Sequence, residues 1–349
     1  MPGYEEFTVP YARVADRTLA LRITRPTGLG AGPFPVLLDF HGGAWTHFDP
    51  RVDLAWCREL ARAGVLSASV EFRLAPEHPW PAFLADARAA LRWVTAHGAA
   101  LGADPARMGT IGGSTGGFLA VLLALCPRTE GETPTPALDT PDTLAPATPR
   151  VAIGFYPILD VVGRYRMVRG AHFSPTARFL RERIGPPRRG AGRHLAAPIA
   201  RLERLHALKT RHGRVGRSVG TAVNRALALA SRLDFVRLAV FEELAANHEG
   251  AFASLAAMHE ASPLARVEEG RFQAKPAILV IQGREDINLT PAMSERFADA
   301  YRRAGGEITV AIEPGFPHAF ASIPSAQSDR AITRTLAFLD AQHLVRPHA

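Results

Sequence analysis

The chain has 349 residues with 47% hydrophobic and 21% charged side chains and a net charge of +8, which suits one large α/β domain with an insertion, or two modest domains. This composition excludes a collagen-like chain, a disulfide scaffold and wholesale disorder. Cys57 and Cys126 are expected to be buried thiols rather than a disulfide. No apolar stretch approaches the length of a membrane span, and no secretory signal is evident, so we predict cytoplasmic localisation.

Strand and helix patterns alternate along most of the chain. Two short strands are predicted first, at 7–14 and 18–25, and a buried strand follows at 36–41. The later strands are predicted at 65–71, 108–113, 151–158, 276–283 and 307–314, with helices at 54–63, 83–97, 115–125, 292–304 and 329–342. Strands that alternate with helices of this length predict an α/β fold, with a mostly parallel central sheet flanked by helices on both faces.

Two stretches interrupt the alternation. Residues 127–150 are rich in Pro and Thr and are expected to form an exposed loop. Residues 160–271 have a helical, Arg-rich pattern without strands, and residues 161–240 within them carry a local charge of +15. We therefore predict a core formed by 1–159 and 272–349, and a large helical cap or lid formed by 160–271. Apolar spacing at 225–247 predicts an amphipathic helix in this insertion.

A candidate nucleophile lies in a G-x-S-x-G pattern, Gly112-Gly113-Ser114-Thr115-Gly116. The pattern joins a predicted strand to a predicted helix, which is the context of a nucleophile elbow. A turn this tight needs small neighbours, and it projects the serine hydroxyl from the carboxyl edge of the sheet. The helix N-terminus beside Ser114 favours negative charge. The alternative is a glycine-rich turn whose serine has no catalytic role.

A second glycine-rich turn, His41-Gly42-Gly43-Ala44-Trp45, follows the buried strand at 36–41 directly. Its backbone N–H groups, together with that of Thr115, are candidates for an oxyanion hole. Removing one such donor typically raises the reaction barrier by about 2.7–4 kcal/mol. The alternative is a simple tight turn. We expect a structural role for His41 because of its position in this turn.

These motifs resemble those of the hormone-sensitive-lipase-like family of esterases, which have the α/β-hydrolase fold. HGGAW at 41–45 is similar to the family's HGGG oxyanion motif, and FRLAPEHPWPA at 72–82 closely matches its strand-and-loop signature. GADPARMGTIGGSTGG at 102–117 resembles the family's approach to its nucleophile, and SPL at 262–264 resembles a segment before its acid-bearing strand. The resemblance covers about 36–125 well and 260–320 loosely.

The resemblance implies roles for individual residues. By this resemblance, Ser114 is the nucleophile. The backbone N–H groups of Gly43, Ala44 and Thr115 are the donors to the oxyanion, with that of Gly42 as a further candidate. The chain also departs from the family. Alanine replaces the last motif glycine at position 44, which narrows the site against bulky tertiary-alcohol esters, and Thr115 replaces the family's alanine and crowds the acyl side. The family's N-terminal helical cap is not evident, so the insertion is expected to serve as the cap.

The serine needs a base to take its proton and an acid to orient that base. In α/β hydrolases these follow the serine in the order acid, then histidine. The strand at 276–283 leads into Asp286, our candidate acid, with Glu285 as the alternative. The last predicted strand leads into His318, the candidate base, which resembles the family's H-G-F histidine with alanine in place of glycine. Taken alone, His318 would be interpreted as an ordinary surface residue, and Asp286 as a turn residue or a helix cap.

The sequence thus predicts a carboxylic ester hydrolase that acts on small to medium-chain esters through an acyl-enzyme. No metal or organic cofactor is expected, and the expected partner is a small-molecule ester. Arylformamidase, amidase and lactonase activities are alternatives with the same triad. A non-catalytic small-molecule-binding protein of this fold is an alternative from another class. The oligomeric state is left open, a homodimer included.

The insertion contributes two further expectations. Phe155, Tyr156 and Pro157 are expected to border the pocket. Five phenylalanines are candidates to line an apolar acyl tunnel, but for most of them packing of the lid onto the sheet is the favoured interpretation: Phe173, Phe179, Phe235, Phe241 and Phe252. The arginine excess is interpreted first as a solvated surface, and second as a weak attraction to anionic surfaces or acidic substrates. Nucleic-acid binding is not expected, because no nucleic-acid module is evident.

Overall fold

The computed structural model describes residues 2–176, 178, 179, 213–230 and 234–345. Within these residues, eight strands form one sheet in the order β1-β2-β4-β3-β5-β6-β7-β8. The strands are β1 (Gly3–Val14), β2 (Arg17–Thr27), β3 (Phe34–Phe40), β4 (Leu66–Val70), β5 (Ala103–Gly113), β6 (Val151–Phe155), β7 (Ala277–Gly283) and β8 (Ile308–Glu313). Only β1 and β2 pair in the antiparallel direction, with each other and, for β2, with β4. The predicted mostly parallel sheet is confirmed.

The helices of the described residues lie between and after these strands. They are α1 (Leu54–Arg62), α2 (Ala82–His97), α3 (Thr115–Leu125), α4 (Val161–Gly170), α5 (Gly213–Ala230), α6 (Asp234–Ala251), α7 (Leu255–Ala261), α8 (Pro263–Glu268), α9 (Pro291–Arg303) and α10 (Ala326–Ala341). The described residues between β6 and β7 include α4 to α8 and contain no strand. None of the described helices is long and apolar enough to cross a membrane.

The central strands are apolar because helices cover both faces of the sheet. Every residue of β3, β4, β6 and β7 is buried. The helix α3 is also buried along its whole length, so the residue that precedes it is held between two packed elements. The carboxyl ends of the parallel strands meet at one edge of the sheet, which is where α/β proteins usually bind ligands.

Both cysteines are buried and free, as expected. Cys57 lies on α1 against the buried carboxylate of Asp39, with 3.5 Å between its Sγ and Asp39 Oδ2. Asp39 also accepts a hydrogen bond from Trp56 Nε1 at 3.0 Å. Burial raises the pKa of Asp39 to about 6, against the opposing effect of these hydrogen bonds.

The structure corrects one detail of the sequence-based assignment. The stretch 127–150 is not simply an exposed loop, because Thr135 is buried and its hydroxyl donates a hydrogen bond to Asp86 Oδ1 at 2.6 Å. Arg73 donates both to this carboxylate and to the Thr135 hydroxyl. Thr135 therefore anchors the stretch to the ion pair between Arg73 and Asp86 of α2. The helical residues predicted at 225–247 belong to α5 and α6, and residues 231–233 between them lie outside the described part of the chain.

Candidate active site

Ser114 lies in the turn between β5 and α3, with backbone angles φ 55° and ψ −117°. A non-glycine residue at such a positive φ is strained and persists only where its surroundings hold it. Here the Ser114 N–H donates to the Phe155 carbonyl at 2.9 Å. A Cβ on Gly116 would come within 1.8 Å of the Phe40 carbonyl oxygen, so only glycine allows β3 to pack against the turn.

The structure brings Ser114, His318 and Asp286 together, although they are far apart in the sequence. His318 Nε2 lies 3.1 Å from Ser114 Oγ, and His318 Nδ1 lies 2.8 Å from Asp286 Oδ2. A carboxylate only accepts hydrogen bonds, so the proton of the neutral imidazole is assigned to Nδ1. The lone pair of Nε2 then faces the serine hydroxyl, which is the arrangement that proton removal from Ser114 requires.

The Asp286 carboxylate is completely buried and is held from two sides. Its Oδ1 accepts hydrogen bonds from the backbone N–H groups of Asn288 at 2.8 Å and Leu289 at 2.9 Å. Its Oδ2 accepts one from Gln282 Nε2 at 3.1 Å in addition to that from His318. These donors fix the direction in which Oδ2 faces. Glu285 instead accepts from the Gly315 N–H at 2.6 Å, so it does not contact His318.

His318 lies in the loop after β8, and aromatic side chains support its ring. The Tyr156 ring lies 4.8 Å from the imidazole, and the Phe320 ring lies 4.9 Å from that of Tyr156. The Tyr156 hydroxyl is 3.2 Å from Ser322 Oγ. Tyr156 is buried in the cavity wall, so the expectation that it borders the pocket is confirmed. Phe155 instead packs in the core against Trp56, at 5.2 Å between ring centroids.

The turn at 41–45 lies directly beside Ser114. A Cβ on Gly42 would lie 3.1 Å from the Gly113 carbonyl oxygen, and Gly43 and Ala44 have φ values of 113° and 52°. The Gly43 carbonyl accepts the N–H groups of the two residues after Trp45, which closes the turn. Within the described residues, the N–H groups of Gly43, Ala44 and Thr115 donate to no protein acceptor, so they are available to a bound oxygen.

His41 has the structural environment that its position suggested. Its ring stacks on Phe72 at 4.4 Å between centroids, and its Nδ1 donates to the Gly42 carbonyl at 2.7 Å. Burial lowers the pKa of His41 to about 4, so the side chain is neutral at neutral pH. It does not contact the Ser114 hydroxyl.

A cavity of about 240 Å³ opens in front of Ser114. Its apolar wall includes Ala44, Phe48, Val52, Val240 and Leu244. The polar residues of the wall, apart from Ser114 and His318, are His47, Asp53, Tyr156, Arg164, Glu243, Asn247, Asn288 and Ser322. Drug-sized ligands usually occupy about 300–1,000 Å³, so this cavity suits a small ligand group.

The acyl tunnel, the less favoured interpretation of the five phenylalanines, is wrong for the described side chains. Phe252 packs against Trp45 and Phe83, Phe241 packs against Phe173, and Phe179 is exposed. None of these four phenylalanines lines the Ser114 cavity, and the side chain of Phe235 lies outside the described part. The wall comes instead from one face of α6, on which Val240, Glu243, Leu244 and Asn247 are spaced at helical intervals.

Sequence reasoning also missed Gln282, Arg164 and Asn288. Gln282 is a buried polar residue at the end of the apolar strand β7, and that position was a usable signal because buried polar groups need a partner. Nothing in the sequence singled out Arg164 among the many arginines of its segment. Among the described residues, no cluster of three or more His, Cys, Asp or Glu side chains could hold a metal ion.

Comparison with known proteins agrees with this architecture. A family model described as alpha/beta hydrolase fold matches residues 37–185, and a model of the prolyl oligopeptidase family matches residues 225–344. The first match includes Ser114, and the second includes Asp286 and His318. The chain is an α/β-hydrolase-fold protein, and the fold that its motifs indicated is confirmed.

The curated relatives carry names that fit the resemblance seen in the sequence. Esterase LipI of Mycobacterium tuberculosis is 43% identical over 110 residues, which are 31% of this chain and 34% of that protein. Carboxylesterase NlhH of the same species is 36% identical over 132 residues, which are 37% of this chain and 40% of that protein. The matched part therefore spans well under half of the length of either relative.

Solved structures are similar over nearly the whole chain. An esterase of Thermogutta terrifontis aligns with a TM-score of 0.64 and 20% identity, covering 99% of this chain and 95% of that one. An esterase of Pyrobaculum calidifontis aligns with a TM-score of 0.63 and 20% identity, covering 98% and 86%. At this identity the likeness concerns the fold.

Proposed function

We propose that this protein is a carboxylic ester hydrolase with Ser114 as nucleophile, His318 as general base and acid, and Asp286 as the residue that orients the histidine. The observation that carries the proposal is the His318 ring, which is within hydrogen-bonding distance of Ser114 Oγ on one side and of Asp286 Oδ2 on the other. The same cavity contains Ser114 and the turn with unused N–H groups. The esterase names of the relatives agree with this reaction.

The reaction proceeds in two halves. His318 Nε2 takes the proton of Ser114 as Oγ attacks the ester carbonyl, and a tetrahedral intermediate forms. The intermediate collapses, the bond to the alcohol breaks, and His318 gives its proton to the leaving oxygen. Water then enters, His318 deprotonates it, and its attack on the acyl-enzyme releases the acid and regenerates Ser114. The Asp286 carboxylate orients His318 and stabilises the imidazolium that forms in each half.

The developing oxyanion is stabilised by backbone groups. We assign this role to the N–H groups of Gly43, Ala44 and Thr115, with Gly42 as a further candidate, because they flank Ser114 and have no other acceptor among the described residues. Thr115 is also the first residue of α3, whose N-terminus favours negative charge. Donors held in advance by the backbone need no rearrangement during the reaction.

The substrate is proposed to have a small or medium acyl chain. The cavity volume is about 240 Å³, and its apolar part is closed on one side by Val240 and Leu244 of α6. We propose that residues 160–271 form a cap on a core made of 1–159 and 272–349. In this arrangement the turns of the core carry the chemistry, while the cap limits the length of the acyl group.

Amide hydrolysis is a second candidate. It is favoured by the match of residues 225–344 to the prolyl oligopeptidase family, which includes Asp286 and His318. An amine leaving group needs protonation more than a phenolate does, so an amide tests the general-acid role of His318 more severely than an activated ester.

The test is hydrolysis of p-nitrophenyl esters from acetate to laurate, with p-nitroacetanilide as the amide matched to the acetate. We expect activity on the short esters, a decline along the series, and its loss in Ser114→Ala. Turnover of the anilide with an efficiency comparable to that of the acetate would favour the amidase instead. An absence of turnover on both, with saturable binding of an ester analogue, would replace the enzyme with a small-molecule-binding protein.

A further inference from the structure

Arg164 on α4 is a buried arginine in the wall of the Ser114 cavity. Its side chain is 1% exposed. Its Nε and Nη2 both donate to Asn288 Oδ1, with 3.1 Å from Nε to the oxygen. Its Nη1 lies 3.3 Å from His248 Nε2 on α6. The guanidinium therefore joins two helices of the segment between β6 and β7 to the turn after β7.

The partners of Arg164 are neutral. His248 Nδ1 lies 2.7 Å from the Leu244 carbonyl and donates to it, so Nε2 has a lone pair that accepts from Arg164. Burial and, to a lesser extent, the Arg164 charge lower the pKa of His248 to about 3. Burial lowers the pKa of Arg164 to about 9, while the charge of Asp286 acts in the opposite direction. Arg164 is thus charged at neutral pH.

Arg164 has no ion-pair partner within 4 Å among the described residues. A buried charge with only neutral partners lowers stability relative to a well-packed apolar side chain. A role in folding alone therefore does not account for arginine at this position. Among the described carboxylates, Asp286 is the one whose charge raises the pKa of Arg164. Asp286 is also the hydrogen-bond partner of His318.

We propose that Arg164 is a positioning residue for the catalytic acid, an inference that rests on the triad function proposed above. Two N–H groups of the guanidinium fix the amide of Asn288, whose backbone N–H donates to Asp286 Oδ1 at 2.8 Å. With Oδ1 held, Oδ2 faces His318 Nδ1. Because Arg164 belongs to α4 and its other partner to α6, these two helices support the catalytic acid as well as the cavity wall.

The first test compares two buried arginines of the same segment. Arg164→Met removes the guanidinium, and we expect kcat to fall about 100-fold with little change in KM, because a small misplacement of catalytic groups has such an effect. Arg164→Lys keeps the positive charge but lacks the pair of N–H groups that the guanidinium directs at Asn288, and it should recover part of kcat. Arg266→Met on α8 is the matched control, since Arg266 is also buried but pairs with Glu130, away from the cavity. It should lower Tm and leave kcat within about two-fold.

The second test is a double-mutant cycle with Asn288→Ala. If Arg164 acts through Asn288, the double variant should lose no more kcat than the more impaired single variant. The far-downfield proton resonance of His318 Nδ1–H should shift or broaden in both single variants and remain in the Arg266 control. This measurement does not depend on turnover. Arg164→Lys keeps the comparison available if Arg164→Met folds poorly, because its ammonium can still donate to Asn288 Oδ1.

Several outcomes would overturn the inference. Wild-type kcat in folded Arg164→Met would do so, as would fully additive losses in the double variant. A raised KM with unchanged kcat would assign Arg164 to substrate binding instead. Ser114→Ala, assayed in parallel, separates the two proposals: residual full activity in that variant contradicts the proposed function itself, whereas its complete inactivity together with a normal Arg164→Met contradicts only the positioning role.

Discussion

The carboxyl edge of the sheet and the helical segment between β6 and β7 contribute to the site in different ways. The edge supplies Ser114, Asp286 and His318 from turns whose backbone is fixed by close packing, as at Gly116 beside β3. The helical segment supplies side chains to the cavity wall, mainly from α6. Reactive groups must be placed within fractions of an ångström, so they belong on backbone that cannot move. A wall that only limits size tolerates side-chain variation.

Arg164 is an exception to this division between the carboxyl edge and the helical segment. It belongs to a helix of the proposed cap, yet it contacts the turn that holds Asp286. Changes in the edge should therefore abolish activity, most changes in the cap should alter substrate range, and a change at Arg164 should impair turnover itself.

The largest effect is expected at Ser114, compared with the other serine of the same cavity. Ser114→Ala should reduce kcat by about 10⁶-fold, because the nucleophile is lost while the oxyanion donors remain. Ser322→Ala should stay within about ten-fold, because among the described residues the Ser322 hydroxyl forms a hydrogen bond only with the Tyr156 hydroxyl. Steady-state ester hydrolysis measures both. Equal losses would mean that the edge does not contain a unique nucleophile.

The next effect distinguishes two neighbouring carboxylates after β7. Asp286→Asn should lower kcat by about 10⁴-fold, since an amide favours the wrong tautomer of His318. Glu285→Gln keeps the acceptor for the Gly315 N–H and should change kcat by less than about five-fold. The measurement is kcat for p-nitrophenyl acetate in both variants. A reversed order of the two losses would make Glu285 the catalytic acid.

A smaller effect is expected on the cap side, where two residues of α6 have different surroundings. Leu244→Ala enlarges the cavity and should shift the preference between short and medium esters by about ten-fold in kcat/KM. Phe241→Ala removes a side chain that packs against Phe173 outside this cavity, so the profile should keep its shape. An unchanged profile in Leu244→Ala would show that α6 does not limit the acyl chain.

The smallest effect on turnover is expected at Asp39, the buried carboxylate of β3. Burial raises its pKa to about 6 in the folded state, so the folded protein binds its proton more tightly than the unfolded chain does. Stability should therefore fall as pH rises from about 4 to 6, by about 3 kcal/mol for a shift of about two units. Asp39→Asn should lack this decline while it retains activity. Urea unfolding of both proteins across this pH range gives the comparison, and parallel pH dependences would contradict it.

The sequence predicted most of the edge and little of the cap wall, for a physical reason. The candidate catalytic residues follow strand ends, so the alternation of strands and helices, together with the G-x-S-x-G pattern and the family resemblance, located Ser114 and His318. The alternation alone does not choose between Glu285 and Asp286, because both follow the same strand, and Asp286 is preferred from the resemblance. The choice depends on where the turn directs each side chain, and here hydrogen bonds from the Asn288 and Leu289 backbone direct Asp286.

The cap wall depends on how helices pack against the core, which local sequence does not encode. The sequence left the phenylalanines of this segment between an acyl tunnel and packing of the lid, and Phe241 and Phe252 pack within the protein. The neighbouring positions Val240 and Leu244 face the cavity instead. Their spacing marked one helix face, but only the packing of α6 determines which face meets Ser114. Residues 180–212, which lie outside the described part of the chain, carry about half of the +15 charge of residues 161–240.

Covalent labelling with a fluorophosphonate reagent tests whether His318 and Asp286 activate Ser114, because such reagents react with serines activated by a neighbouring base. We expect one adduct per chain, located on the peptide that contains Ser114, and we expect its formation to be much slower in Asp286→Asn. Folded protein that remains unlabelled, or an adduct at another residue with Ser114 unmodified, would contradict the claim that His318 and Asp286 activate this serine.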